Sequence, residues 1–87
     1  MFNINPSPFV ALNRAIALGF SDGPKAGIEA LLYITGLDQN YLYHAALGDF
    51  YAQNKSAAEA LQSYNLALTL TRLPAEKKVI EGKIALL

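Results

Sequence analysis

Apolar residues recur at helical spacing in five segments of the chain, and each segment is bounded by proline, glycine or a capping side chain. The spacing predicts helices over about 9–20, 24–34, 39–53, 57–71 and 74–86. No segment alternates apolar and polar residues with a period of two, so no strand is predicted. The sequence therefore predicts an all-α chain of antiparallel helical hairpins joined by short turns.

Proline and glycine mark most of the predicted helix ends. Gly19 and the turn at 21–24 predict the end of the first helix, and Gly36 predicts the end of the second. Three helices are expected to start with proline in the first turn, where its missing N–H and preset φ cost nothing; these are Pro8, Pro24 and Pro74.

Polar side chains supply the remaining start signals. Ser7 can cap the first helix, and either Asp38 or Asn40 can cap the third. Ser56 and Glu59 have the spacing of a capping box, in which each side chain accepts a hydrogen bond from a free amide at the helix start. Before Ser7 the chain is polar and is predicted to be irregular.

The apolar arc of each helix predicts which side is buried. The first helix is apolar around most of its circumference, so it is expected to be buried on several sides. The predicted inner faces of the other helices are Ile28, Leu31, Leu32 and Thr35; Leu42, Ala46, Leu47, Phe50 and Tyr51; Ala60, Leu61, Tyr64, Ala67 and Leu68; and Val79, Ile80, Ile84 and Leu87.

Composition narrows the function classes. With seven Lys/Arg against seven Asp/Glu, the chain has no basic field that would attract a phosphate backbone, so autonomous nucleic-acid binding is not expected. No apolar run reaches the roughly 18–20 residues that a bilayer span needs, and the N-terminus does not resemble a secretory signal. Together with the absence of cysteine, this predicts a cytoplasmic protein held together by apolar packing.

No catalytic, cofactor or metal site is predicted. His44 is the only histidine, no second nitrogen or cysteine ligand lies near it, and we interpret it as a packed residue of the hairpin. No two carboxylates lie three or four residues apart on one helix, which disfavours a paired acid and base. Asn13 and Arg14 lie in an apolar helix, where Arg14 either pairs with a carboxylate such as Glu29 or Asp38, or with helix-end carbonyls, or contacts a partner directly.

Residues 41–74 carry a set of large and small side chains that resembles the tetratricopeptide repeat. Gly48 and Ala60 are the small residues expected where the two helices cross closely. Arg72 departs from the pattern, which usually has proline there, and the first-helix slot that is usually tryptophan holds histidine. The repeat positions are His44, Leu47, Gly48, Tyr51, Ala60, Tyr64 and Ala67.

A degenerate copy of the same pattern lies 33 residues earlier, over 8–40. It places Ala15 and Gly27 at the close crossing, and Leu18, Leu31 and Ile34 in the packing slots. The prediction is one domain over 1–87 with two repeats, at about 8–40 and 41–74, and a capping helix at about 74–87.

In such a stack the first helix of each hairpin lines the concave surface. At 53% apolar residues, a domain of this size is expected to leave an apolar patch exposed. We predict a shallow groove suited to an amphipathic helix or an extended apolar segment, unless the N-terminal segment or a sister chain covers it. Its predicted lining is Phe9, Leu12, Ile16, Leu42, Ala45, Asp49 and Ala52.

The stretch Pro8-Phe9-Val10-Ala11-Leu12-Asn13-Arg14-Ala15-Ile16-Ala17 is the most specific part of a wider resemblance. Together with Asp22-Gly23-Pro24, Tyr43-His44-Ala45-Ala46 and Ala58-Glu59-Ala60, it resembles the C-terminal helical-repeat extension of bacterial extracytoplasmic-function RNA polymerase sigma factors. The resemblance covers about residues 6–81. Lys55, and Lys77-Lys78-Val79 near the end, depart from the family pattern.

The resemblance implies that this chain is a fragment of a longer sigma factor and a non-enzymatic regulatory tail. The implied partners are the upstream sigma domains, the RNA polymerase core or another protein. A different interpretation is a free-standing repeat adaptor that binds a peptide or self-associates, for example as a homodimer.

Overall fold

The computed structural model describes residues 7–87, and they form five helices connected by short turns. The helices are α1 (Pro8–Asp22), α2 (Pro24–Tyr33), α3 (Tyr41–Gln53), α4 (Ala57–Leu70) and α5 (Pro74–Ala85). No strand occurs in this range, which confirms the all-α prediction. The irregular conformation predicted for the first six residues lies outside the described residues.

Each helix packs on the next one along the chain. Helices α1 and α2 form the first hairpin, α3 and α4 form the second hairpin, α2 joins the two by packing on α3, and α5 packs on α4. This confirms the predicted architecture of two antiparallel hairpins followed by a fifth helix.

Two of the predicted N-terminal caps are present. The Ser7 hydroxyl accepts a hydrogen bond from the N–H of Phe9 at 3.2 Å. Asn40, not Asp38, caps α3, because its Oδ1 accepts the N–H of Tyr43 at 3.0 Å. Helix α3 therefore begins two residues later than the spacing suggested.

The capping box predicted at Ser56 and Glu59 is wrong, since the Ser56 side chain makes no capping hydrogen bond. The turn before α4 is built from the backbone instead. The N–H of Ser56 donates to the carbonyl of Tyr51 at 2.8 Å and the N–H of Lys55 to that of Ala52 at 3.1 Å, with Lys55 at φ +60°. This is a Schellman ending of α3, and it occupies the amide that Glu59 would have bonded.

The predicted helix ends at Gly19 and Gly36 are also corrected. Gly19 lies inside α1, which continues to Asp22 before Gly23 turns the chain at φ +107°. Helix α2 already ends at Tyr33, and Gly36 lies in the following loop at φ +88°. Both turning glycines occupy the left-handed region, which disfavours side chains.

The turn between α4 and α5 is held by a buried threonine. The Thr71 hydroxyl donates to the Glu76 carboxylate and accepts the N–H of Leu73 at 3.3 Å. Thr71 is 6% exposed, so the hydrogen bonds that hold this turn lie in the protein interior. The proline that usually fills the place of Arg72 is therefore not needed to end α4.

The core has two clusters that meet at α3. The cluster between the hairpins contains Leu12, Ala15, Ile28, Leu31, Leu37, Tyr43, Ala46, Leu47 and Phe50. The cluster beneath α5 contains Ala45, Ala60, Tyr64, Ala67 and Ile80. Seven of the thirteen residues of α3 are buried, because this helix packs on both sides.

Several residues predicted on inner faces are exposed instead. In each helix the apolar arc is wider than the stripe that reaches a neighbour, so its outer members face solvent. These residues are Leu32, Thr35, Leu42, Leu61, Val79 and Leu87.

The fold is flat, with principal extents of 50 × 29 × 17 Å. A flat stack buries less of its surface than a sphere, so large apolar side chains are left outside. No helix within residues 7–87 combines the length and apolarity needed to cross a bilayer.

Candidate interaction groove

A groove of about 250 Å³ runs along the inner side of the stack, where α1 and α3 diverge and α5 reaches one edge. Ile16 and Phe20 form its α1 wall, and Leu42 forms the opposite side together with other residues of α3. Phe20 and Leu42 are 76% and 46% exposed, so an apolar ligand would cover side chains that now face water. The lining is Ile16, Phe20, Tyr41, Leu42, Ala45, Ala46, Asp49, Phe50, Gln53 and Lys83.

The floor of the groove is Phe50, whose ring fills a slot between two glycines. A Cβ added at Gly19 would lie 2.2 Å from the tip of the Phe50 ring, and one added at Gly27 would lie 2.7 Å from the same ring. Phe50 is 2% exposed, and Phe20 packs edge-on against it with 6.0 Å between ring centroids. The first hairpin therefore holds the Phe50 ring, and with it the floor of the groove, in place.

One edge of the groove is polar and joins three helices. Lys83 of α5 places its Nζ 2.9 and 3.0 Å from the two carboxylate oxygens of Asp49 in α3. The hydroxyl of Tyr64 in α4 donates to the same carboxylate at 2.6 Å. Burial, and after it the hydrogen bond to Asp49, raise the pKa of Tyr64 above its usual range, so this hydroxyl stays a donor.

Asp49 and Lys83 are each 37% exposed at the side chain, so their charges remain accessible from the groove. An ion pair at this exposure contributes on the order of 1 kcal/mol or less to stability. The nearby Tyr41 phenol has its pKa raised by burial and then by the charges of Glu76 and Asp49. The edge therefore offers one carboxylate, one ammonium group and the phenol of Tyr41 to a partner, whereas Tyr64 is buried behind it.

The structure brings together four of the residues predicted to line the groove: Ile16, Leu42, Ala45 and Asp49. Leu12 is corrected to a core residue at 2% exposure, because that side of α1 faces α2 and α3. Phe9 is 59% exposed but does not line the groove, and Ala52 lines a separate depression beside α5.

Sequence reasoning missed Phe20, Tyr41, Gln53 and Lys83, and it placed Phe50 only in the core. Phe20 follows Ile16 by four residues, so the helical spacing of the α1 wall could have found it. Lys83 lies 34 positions from Asp49, and no local pattern signals that pairing.

Most of the predicted repeat positions are buried at contacts between helices, but Leu18, predicted in a packing slot, is 38% exposed. A Cβ added at Gly48 would lie 2.5 Å from the Tyr64 ring, so this glycine is needed for the close approach of α3 and α4. In the first hairpin Gly27 lies against the backbone of Gly19, at 2.8 Å from an added Cβ, which corrects the predicted pairing with Ala15. Ala15, Leu47, Ala60 and Ala67 are buried, and Tyr51 is half-buried.

His44 lies where a packed residue is expected. It is 7% exposed, and its Nε2 is 2.8 Å from the carbonyl oxygen of Asp38, so Nε2 carries the proton. Its ring also packs edge-on against Tyr43. Within residues 7–87 no group of three or more His, Asp or Glu side chains is placed to hold a metal ion.

The predicted pairing of Arg14 with Glu29 or Asp38 is not found among the described residues. The one ion pair there joins Lys83 and Asp49. Asn13 and Arg14 are both exposed, because they lie on sides of α1 that no other helix covers. Both side chains can therefore hydrogen-bond to water.

Comparison with known proteins gives one informative match. No protein-family model matches the chain, and no solved structure matches it. An uncharacterized protein of Rhizobium meliloti (strain 1021) is 33% identical over 83 residues, which cover 93% of this chain. The chain spans 19% of the length of that relative.

Proposed function

We propose that this chain is a non-catalytic protein-interaction module that works as the C-terminal tail of an extracytoplasmic-function sigma factor. The observation that carries the interaction role is the groove between α1 and α3, which exposes Phe20 and Leu42 beside an accessible ion pair. The sigma-factor assignment is supported by the sequence resemblance over about residues 6–81.

The groove suits the apolar face of an amphipathic helix. Its walls are aliphatic and aromatic, and its polar groups lie along one edge, where Asp49 and Lys83 can contact polar residues of the ligand. A helix of this kind would bury its apolar positions against Ile16, Phe20 and Leu42. The edge charges would then fix its direction and register.

In the proposed role the ligand is a helix of the upstream sigma domains or of the RNA polymerase core. Docking there would restrain how the promoter-reading domains sit on the polymerase, and so modulate initiation. The greater length of the Rhizobium relative is compatible with a module attached to other domains.

The test is calorimetric titration of this chain with the purified promoter-binding domains of an extracytoplasmic-function sigma factor from the same bacterium, and separately with core RNA polymerase. We expect saturable binding to one of them. Leu42→Asp should weaken it by about tenfold or more, because a charge is placed on the apolar wall.

Leu61→Asp is the matched control. Leu61 is 41% exposed, close to the 46% of Leu42, but it lies on the outer side of α4. It should bind like the wild type. Failure to bind either target contradicts the sigma-factor role, whereas binding that Leu42→Asp leaves unchanged contradicts the role of the groove.

A further inference from the structure

The side of the first hairpin that faces away from α3 is an open face, which we call the end face. It contains a groove of about 530 Å³ between α1 and α2. Tyr33 and Leu18 on this face are 89% and 38% exposed. The groove is lined by Ala11, Arg14 and Leu18 on α1 and by Ala30 and Tyr33 on α2, among others, and Glu29 lies in an adjoining depression that Tyr33 also lines.

The internal repeat indicates that this face is suited to pack against another helix. A shift of 33 positions maps Ala11, Arg14 and Leu18 onto His44, Leu47 and Tyr51. In the second hairpin these three positions are covered: the first bonds to the loop after α2, and the other two pack in the cluster that contains Leu31 of α2. The repeat thus marks the end face as a stacking face, and no helix within residues 7–87 packs on it.

The end face carries one positive and one negative side chain, so its charges are complementary to those of a second copy of the same face. Arg14 on α1 and Glu29 on α2 flank Tyr33 from opposite sides, and neither makes an ion pair within residues 7–87. A two-fold axis parallel to the helices would lay α1 of each copy along α2 of the other. Each Arg14 would then meet the Glu29 of the other copy, so two equivalent ion pairs would form.

We propose that the end face is a homodimer interface, on which a second copy of this chain packs with two-fold symmetry. The partner α2 would then cover α1 as α2 covers α3 within one chain. Tyr33 would be buried near the axis, where aromatic side chains contribute most to binding. This inference uses a surface opposite the candidate interaction groove and does not depend on the proposed function.

The area of the face indicates a weak interface. Helix α1 has 15 residues and α2 has 10. At ~1.5 Å per residue and ~10 Å per helix diameter, the two helices present a face of ~375 Å². About 750 Å² buried in total is below the size of stable interfaces, so we expect weak and reversible dimerisation. The measurement therefore needs a range that extends to high protein concentrations.

The experiment is sedimentation equilibrium on the wild type, Arg14→Glu and Glu29→Arg. We expect a monomer–dimer equilibrium for the wild type and about tenfold or more weaker dimerisation for each variant alone, since like charges then oppose each other twice. An equimolar mixture of the two variants should dimerise like the wild type, because both pairs are again of opposite charge. Melting curves would show that both variants stay folded.

Lys78→Glu and Glu81→Arg are the matched controls. They make the same changes in net charge on exposed positions of α5, far from the end face, and should dimerise like the wild type. A wild type that remains monomeric over the whole range would overturn the proposal. So would a dimer that charge reversal does not weaken, or variants that stay monomeric after mixing.

Discussion

The two hairpins share a repeat pattern but are held together differently. In the first hairpin the helices approach through glycine, at Gly19 and Gly27, and no side-chain hydrogen bond links α1 to α2 within the described residues. In the second hairpin Tyr64 packs on Gly48 and bonds to Asp49. Within residues 7–87 the second hairpin has helices packed on both sides, namely α2 and α5, whereas the first hairpin has a neighbour on one side.

The two hairpins also differ in how many large apolar residues they expose. Six large hydrophobic residues of the first hairpin are exposed, against three of the second. Within residues 7–87 only the second hairpin packs on the first, so the side chains that a further helix would bury are exposed. Those of the first hairpin are Phe9, Val10, Leu18, Phe20, Leu32 and Tyr33.

The largest expected effect comes from removing the ring that joins the two hairpins. Phe50→Ala should lower the free energy of unfolding by about 3–5 kcal/mol, because it empties the slot between Gly19 and Gly27. Urea denaturation followed by circular dichroism measures the loss. Hydrogen exchange in the variant should show α1 and α2 losing protection before α3 and α4.

Phe20→Ala is the control for that change. Phe20 contacts the same ring but is 76% exposed, so the expected loss is below about 1 kcal/mol. Equal losses for the two variants would mean that the glycine slot does not couple the hairpins.

A smaller effect is expected inside the second hairpin. Gly48→Leu should destabilise by about 1–3 kcal/mol, since the new side chain meets the Tyr64 ring and that ring is tethered to Asp49. Gly82→Leu is the comparison, because a Cβ at Gly82 meets nothing within 4 Å. An unchanged melting temperature for Gly48→Leu would show that the register of α3 on α4 is wrong.

The smallest effect concerns alkaline pH. The folded protein holds the pKa of Tyr64 above the usual value of 10.0, and burial likewise raises the pKa of Tyr41 and Tyr43. Above pH 10 the unfolded chain therefore binds fewer protons than the folded one, so stability falls as pH rises. For Tyr64 alone the slope approaches ~1.4 kcal/mol per pH unit.

Denaturation of the wild type and of Tyr64→Phe between pH 8 and 11 isolates that contribution. The variant starts less stable, because it lacks the bond to Asp49, and the gap between the two proteins should narrow above pH 10. A gap that stays constant with pH would contradict the protonated role of Tyr64.

The sequence is sufficient to predict the helices and their order, because proline, glycine and Asn40 act locally at the helix ends. It also locates Gly48 and His44 in the hairpin. Local spacing predicts an apolar arc but not which part of the arc meets a neighbouring helix. It placed both Leu12 and Leu42 in the groove, and the structure puts Leu42 there but buries Leu12 in the core.

Local sequence patterns could not predict the polar edge of the groove, for a different reason. Asp49 and Lys83 are 34 positions apart, and their contact depends on how α5 crosses the second hairpin. The end of α3 at Gln53 agrees with the prediction, but the Schellman turn that follows it was not predicted, because a lysine at φ +60° carries no turn signal of its own.

Phe50 lies in the lining of the groove and also fills the slot between Gly19 and Gly27 of the first hairpin. If the groove binds the ligand proposed above, its occupancy and the packing of the first hairpin are linked equilibria. The ligand would then favour the stacked state, and loosening of the stack would remove the binding surface. Ligand binding in the groove would then rigidify α1 and α2 of the first hairpin.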